Sequence, residues 1–381
     1  MATIYDRVVL LLAIKERGKV VDFEHTHEKV ARDVAFAENR EVSREEIEGA
    51  LTKLASEGYV LKKKEGYEGT QEIEKLAENL IREKKGELNR SYVTVWFAKK
   101  YYPHVADVMM PFLVDRPVSA VKIFSGKSDP IGELDAIFVR YSKYKPKPVY
   151  LTIDSKERLL ELVFDHCVDF IPYVHKIGAK EPDIFVLDLD AGSRILQHPK
   201  AFEFVKYVTS ELATLLKDLG IGCMVKFSGS RGFQIWTSFD NKLLRGEGDV
   251  FRKYRDMAVN LQTRLEERLQ KNSTAIHRKF SGIIAKGQPM TTSVVAHKEE
   301  RASQILVDWS VLKPMGDVRA PFSMHYKTGR VSLPLSPTDL EDFDPKDATP
   351  LSVIKQLDKY EKACKVEMND PAPLLAITKS A

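Results

Sequence analysis

Two aspartates one residue apart are the first residues of this chain whose types and spacing could do chemistry. They sit in Ile184-Phe-Val-Leu-Asp188-Leu-Asp190-Ala-Gly192, where an apolar run meets a small-residue turn. Such a run, closed by Gly192, reads as a buried strand. Side chains alternate across a strand, so Asp188 and Asp190 share one face and Leu189 takes the other. Carboxylates that close repel, and one keeps a proton unless a cation sits between them. Oxygen ligands at a strand end suit Mg²⁺ or Mn²⁺ shared with a substrate phosphate. Taken alone, an Asp-x-Asp more often marks a helix cap or a turn.

Three further stretches bear on that choice. Val225-Lys226-Phe-Ser228-Gly229-Ser230-Arg231-Gly232-Phe-Gln234-Ile-Trp236 joins two β-prone runs through a glycine-rich turn. Glycines let backbone amides turn towards one point, an anion-binding concavity to which Ser228, Ser230 and Arg231 add donors. The same letters fit a plain hairpin with a solvated arginine. Ile305-Leu-Val-Asp308-Trp309 ends a second apolar strand in an aspartate. With Asp188 and Asp190 it supplies the third carboxylate that two-metal nucleotidyl transfer requires. Arg319-Ala-Pro-Phe-Ser323-Met-His325-Tyr-Lys327-Thr-Gly329-Arg330 gathers cations before a glycine turn, and by itself reads as a basic surface loop. The remaining histidines show no metal-ligand spacing.

The elements that must position these residues follow from the rest of the chain. At 381 residues there is length for two or three domains. A formal charge of +4 permits a nucleic-acid partner without requiring one. No apolar run has membrane-spanning length, and the N-terminus lacks a signal-peptide pattern. Cys167, Cys223 and Cys364 are far apart, which speaks against a zinc ribbon or disulfide framework and for a reducing compartment.

Residues 1–67 read as a small unit of their own. Ile4, Val8, Leu11 and Leu12 mark one helix, Val30, Val34 and Ala37 a second, and the capping box Ser43-Arg-Glu-Glu46 opens a third. Tyr59–Lys64 then reads as a strand running to a basic tip, with Gly66 turning the chain. The pattern is that of a winged helix-turn-helix, bound either to DNA or to protein; the acidic start of its third helix disfavours phosphate contacts. Residues 68–91 read as a connecting helix. Tyr92–Phe97, Pro117–Phe124, Ala136–Val139 and Val149–Ile153 read as short strands, and Lys143–Pro148 as a solvated basic loop. An amphipathic helix over Phe202–Leu216, a polar helix over Phe251–Gln270, a loop over 272–300, strands at Ile305–Trp309 and Val331–Leu335 and a C-terminal helical tail complete an α+β body.

The order of these parts resembles the archaeo-eukaryotic primase superfamily. Val186-Leu-Asp-Leu-Asp190 is similar to its Asp-x-Asp motif, Ser228–Gln234 to its Ser-Gly-x-x-Gly-x-His motif, and Val307-Asp308 to its third motif. Pro321–Ser332 resembles the Ser-x-His-x-Lys-Thr-Gly stretch of replicative primase catalytic subunits. Tyr101-Tyr-Pro-His-Val-Ala, Met110-Pro-Phe-Leu, Arg116-Pro-Val-Ser119, Phe170-Ile-Pro-Tyr-Val-His175 and Pro182-Asp183 resemble the polymerase domain of bacterial end-joining ligase D.

The resemblance covers roughly residues 92–345 and leaves the N-terminal unit unexplained. It implies a primase-type core of mixed sheets and helices at 92–345, between the winged-helix-like 1–67 with its 68–91 connector and a tail at 346–381. It implies template-dependent nucleotidyl transfer in priming, or in end-joining and gap-filling repair. Asp188, Asp190 and Asp308 would hold two Mg²⁺ or Mn²⁺ ions, with no zinc. Ser228, Arg231, Gly232, Gln234, Arg319, Ser323 and His325 would bind the NTP or dNTP. Lys122 and Lys226 are weaker candidates for phosphate or strand contacts. Implied partners are DNA template and primer, with a primase large subunit, ligase or helicase as further possibilities, in a cytoplasmic, nucleoid-associated setting without a membrane. Gln234 stands where the family usually has histidine, and glutamine cannot become cationic. The competing reading is a decayed primase-like module that binds DNA or assembles complexes.

Overall fold

Alternation decides how the acidic strand is built. In a computed structural model that describes residues 1–123, 136–245, 249–293 and 303–378, Phe185, Leu187 and Leu189 are fully buried on one face while Asp188 and Asp190 turn to the other.

The chain opens with α1 (Ile4–Ala13), α2 (Phe23–Glu38) and α3 (Arg44–Ser56), then a hairpin of β1 (Val60–Lys63) and β2 (Gly66–Gly69). The Ser43 capping box is present: its hydroxyl accepts from the Glu46 amide at 3.2 Å, and Glu46 accepts from the Ser43 amide at 2.8 Å. Next come α4 (Gln71–Lys84) and α5 (Arg90–Leu113). Tyr92–Phe97, expected as a strand, lies within α5. Its β-branched and aromatic residues favour extension locally, but Val95, Ala98, Tyr102, Val105, Met109 and Leu113 are all buried at helical spacing, and packing overrides propensity.

After α5 follow β3 (Val118–Ile123), β4 (Ala136–Val139), β5 (Tyr141–Lys143), β6 (Val149–Tyr150), α6 (Lys156–Phe164) and β7 (Cys167–Pro172). Phe124, expected to end a strand, lies outside the described residues. β4, β3 and β7 form a three-stranded sheet, and β5 and β6 a hairpin.

The site is carried by what comes next: β8 (Phe185–Ala191), α7 (Ser193–Leu196), α8 (Ala201–Asp218), β9 (Met224–Phe227), β10 (Phe233–Phe239), α9 (Asn241–Leu244), α10 (Val250–Lys271), α11 (Ser273–Lys279), β11 (Thr291–Thr292), β12 (Ile305–Asp308) and β13 (Leu333–Leu335). The stretch 272–300, expected as a loop, holds α11 and β11; residues 294–300 lie outside the described residues. The chain ends in α12 (Pro337–Asp342), α13 (Pro350–Lys355), α14 (Leu357–Ala363), β14 (Met368–Asn369) and α15 (Ala372–Thr378).

These strands form a mixed sheet in the order β11-β12-β8-β10-β9-β13, with β14 pairing parallel to β10. One row across it reads Val307, Leu189, Phe233, Phe227, Leu333, all without solvent exposure. Phe202 of α8 meets Phe227 and Phe233 at 6.1 and 5.4 Å between ring centres, and Tyr254 of α10 meets Phe185 at 5.7 Å. Helices α8 and α10 thus cover this apolar face. A one-residue slip of β8 would bury its aspartates under them, so the register is strongly specified.

The chain divides into two compact units. One comprises 1–106, 120–139 and 156–169, and the other 107–119, 140–155 and 170–381. Among the described residues no helix is long and apolar enough to cross a membrane.

Candidate active site

The row next to the apolar one carries the chemistry. Asp308 of β12 is paired with Asp188 of β8, Asp188 with Gln234 of β10, and Gln234 with Lys226 of β9. Directly opposed residues project from the same face, with Cβ atoms roughly 5 Å apart. Asp190 lies two residues along β8 on that face. Burial, then the neighbouring Asp190 and Asp308, pushes the Asp188 carboxyl up to about 7, although Gln234 donates to it and Lys226 lies nearby. Burial, with Asp308 close by, also raises Asp190, against the pull of Arg231.

The Ser228–Gly232 turn lies against these acids. A Cβ on Gly232 would sit 2.4 Å from Asp190 Oδ1 and 2.3 Å from the Leu189 carbonyl oxygen. Arg231 Nε is 3.8 Å from Asp190 Oδ1. The turn is closed by Ser228 N donating to Gly232 O at 3.0 Å, and the amides of Ser230 and Gly232 lean on Ser228 Oγ at 3.4 Å. Arg319 donates to the Ser228 carbonyl at 3.1 Å. Gly229, at φ +88°, takes a left-handed conformation that suits glycine, and its Cα faces His325. Thr328 donates to the Gly229 carbonyl at 2.5 Å, fastening the 319–330 loop to the turn. Thr328 was visible in the sequence as part of Lys-Thr-Gly, but its hydroxyl had no assigned partner there.

Not every candidate joins this group. Ser323 is fully buried, and its hydroxyl accepts from the Phe170 amide at 2.7 Å, a structural bond in place of the expected nucleotide contact. Ser323→Ala should leave that amide unsatisfied and cost about 1–3 kcal/mol in a denaturant titration, with the KM for nucleotide unchanged. Lys226 is also fully buried; its ammonium donates to Ser332 Oγ at 2.6 Å and lies 5.0 Å from the centre of the Trp236 ring. It stands in the same row as Gln234 and Asp188, with its ammonium held inside the fold. Lys122 belongs to the other unit, where it pairs with Asp165 at 2.6 Å. Gln234 is buried, between Asp188 and Trp236, whose Nε1 donates to it at 3.4 Å.

Asp188 Oδ1 is buried without a hydrogen-bond partner. An orphaned carboxylate oxygen beside two more acids, held at a raised pKa, fits a divalent cation. Among the described residues no three acids already converge as a finished cage. Asp308 is instead turned to accept from the Ser310 amide at 2.6 Å.

An acidic row on a mixed sheet, abutted by a Ser-Gly turn, places the protein in the archaeo-eukaryotic primase superfamily. More narrowly, the chain belongs to the LigD primase-polymerase domain family, which it matches over residues 98–364. Among solved structures it is similar to the polymerase domain from Mycobacterium tuberculosis Ligase D in complex with DNA. The TM-score is 0.51 at 20% sequence identity, covering 68% of this chain and 87% of that one. No curated protein matches it. Residues 1–97 precede the family match.

Proposed function

We propose that the chain extends a nucleic-acid strand from nucleoside triphosphates on a DNA template, in end-joining or gap-filling repair. The observation that carries this reading is the pairing of Asp308 with Asp188, which sets three carboxylates on one sheet face beside the Ser228–Gly232 turn. Asp188, Asp190 and Asp308 would hold two Mg²⁺ or Mn²⁺ ions, which supply activation of a 3′-hydroxyl and stabilisation of the leaving pyrophosphate. Arg231, Arg319 and His325 border the turn and would neutralise charge growing on the phosphates. Gln234 would hold Asp188 in place and not contact phosphate as a cation. Template contact is supported by the hairpin of β5 and β6. Tyr141 meets Tyr144 at 5.3 Å and stacks on Tyr150 at 5.2 Å, beside exposed Lys143, Lys145 and Lys147, a surface suited to stacked bases and backbone phosphates.

The test is incorporation on primed and unprimed templates, with ribo- and deoxynucleotides and with Mg²⁺ or Mn²⁺. Metal-dependent extension of a primed or gapped template is expected. Extension confined to unprimed strands would reassign the enzyme to priming, and no incorporation under any condition would point to a decayed site.

A further inference from the structure

The unit built from 1–106, 120–139 and 156–169 contains a cavity of about 210 Å³, ample for an oxyanion and several waters. Its polar lining comes from Lys15, His25, Lys29, His166 and Tyr92, with no carboxylate among the described lining residues. His25 and Lys29 are four residues apart in α2 and so share a helix face. Lys15 follows α1, and His166, at φ +67°, sits in the turn before β7.

Of the nearby described acids, Asp22 lies close enough to Lys15 and His25 to favour their charged forms. Asp22 accepts from the His25 amide as the cap of α2, and Asp165 pairs with Lys122. Among the described residues no carboxylate forms an ion pair with Lys15. Lys99 adds a further cation close by, its ammonium donating to the carbonyl of Ile14, another lining residue. Burial, and then the neighbouring Lys15, pushes Lys99 down to about 8. Burial, with Lys99 and Lys15 adding to it, pushes His166 down to about 4. Half-buried cations that repel one another cost stability, and an anion in their midst removes that cost.

We propose that Lys15, Lys29, His25 and His166 form a phosphate-binding pocket, separate from the acidic row and independent of the polymerase reading. The occupant is a phosphate group, free or borne by a nucleic-acid backbone.

The test titrates the full chain with inorganic phosphate in EDTA, by calorimetry and by thermal denaturation. Saturable binding is expected, weakened roughly tenfold or more in Lys15→Gln and in Lys29→Gln, since each removes a charged partner. Lys15→Gln also relieves like-charge repulsion, so without phosphate its melting temperature should equal or exceed the wild-type value. Phosphate should then stabilise the wild type and not the variant. Competition by a single-stranded oligodeoxynucleotide, lost in Lys15→Gln, would identify backbone phosphate as the occupant; no competition would identify free phosphate. Absence of saturable binding, or isotherms unchanged in both variants, would overturn the proposal.

Discussion

Asp188→Asn is expected to abolish strand extension and yet raise the melting temperature of the metal-free protein. The two effects have one cause. Asp188 is half-buried, directly opposite Asp308 and two residues from Asp190, with Oδ1 unpartnered. Asparagine keeps the shape and the acceptor but loses the charge, so a cation held there would lose its central ligand. Forfeiting several kcal/mol of charge stabilisation implies a rate loss of roughly 10³-fold or more. The sign of the stability change follows from the carboxyl's pKa, raised from 3.8 to about 7. Between those values the folded chain holds a proton that the unfolded chain has released. Asp188 therefore destabilises the fold progressively as pH rises through that window, and fully above it. At pH 8 in EDTA the variant should melt higher, by roughly 2–4 °C for each kcal/mol recovered; near pH 4 the gap should close. Mn²⁺ should raise the wild-type melting temperature and leave the variant's unchanged. Thermal denaturation across pH, with and without Mn²⁺, checks this beside an extension assay. A variant that melts lower at pH 8, or that still extends a primer, contradicts the role given to Asp188.

What the sequence displayed and what it hid differ for a physical reason. The strand period of two put Asp188 and Asp190 on one face without any tertiary information, and the Ser43 capping box lies within four residues of chain. These are local properties. Burial is not local. Lys226 precedes the turn and reads as a phosphate contact until Ser332 and Trp236 close over it. Ser323 reads as a nucleotide ligand until Phe170, 153 residues away, claims its hydroxyl. Tyr92–Phe97 has the composition of a strand, and only the buried helical stripe continuing to Leu113 shows otherwise. Asp308 shows the limit most clearly. Its type and its place after an apolar run were legible, whereas its pairing with Asp188 is a register between strands more than a hundred residues apart. No window of sequence contains that register. The hydrophobic rows enforce it, because only one alignment keeps Val307, Leu189 and Phe233 together beneath α8 and α10.

The same geometry makes Gly232→Ala a damaging small substitution beside the acids. The added Cβ would lie 2.3 Å from the Leu189 carbonyl oxygen and 2.4 Å from Asp190 Oδ1. The first of these is backbone of a strand held on both sides, by β10 and β12, so β8 cannot retreat. The turn must move instead. Moving it loosens the 3.0 Å closure between Ser228 and Gly232 and carries Arg231 away from Asp190. Overpacking of this kind costs about 1–3 kcal/mol. A displacement near 1 Å in groups that align reacting atoms costs on the order of 10²-fold in rate. Gly229→Ala provides the contrast. There the nearest atom is a side-chain carbon, His325 Cβ at 2.9 Å, and the penalty is mainly the left-handed backbone at φ +88°, about 1–2 kcal/mol. The two variants should thus be comparably destabilised in denaturant titrations, while Gly232→Ala loses far more turnover. Equal turnover in the two would mean that the turn acts only as a connection and that its contact with Asp190 carries no catalytic geometry.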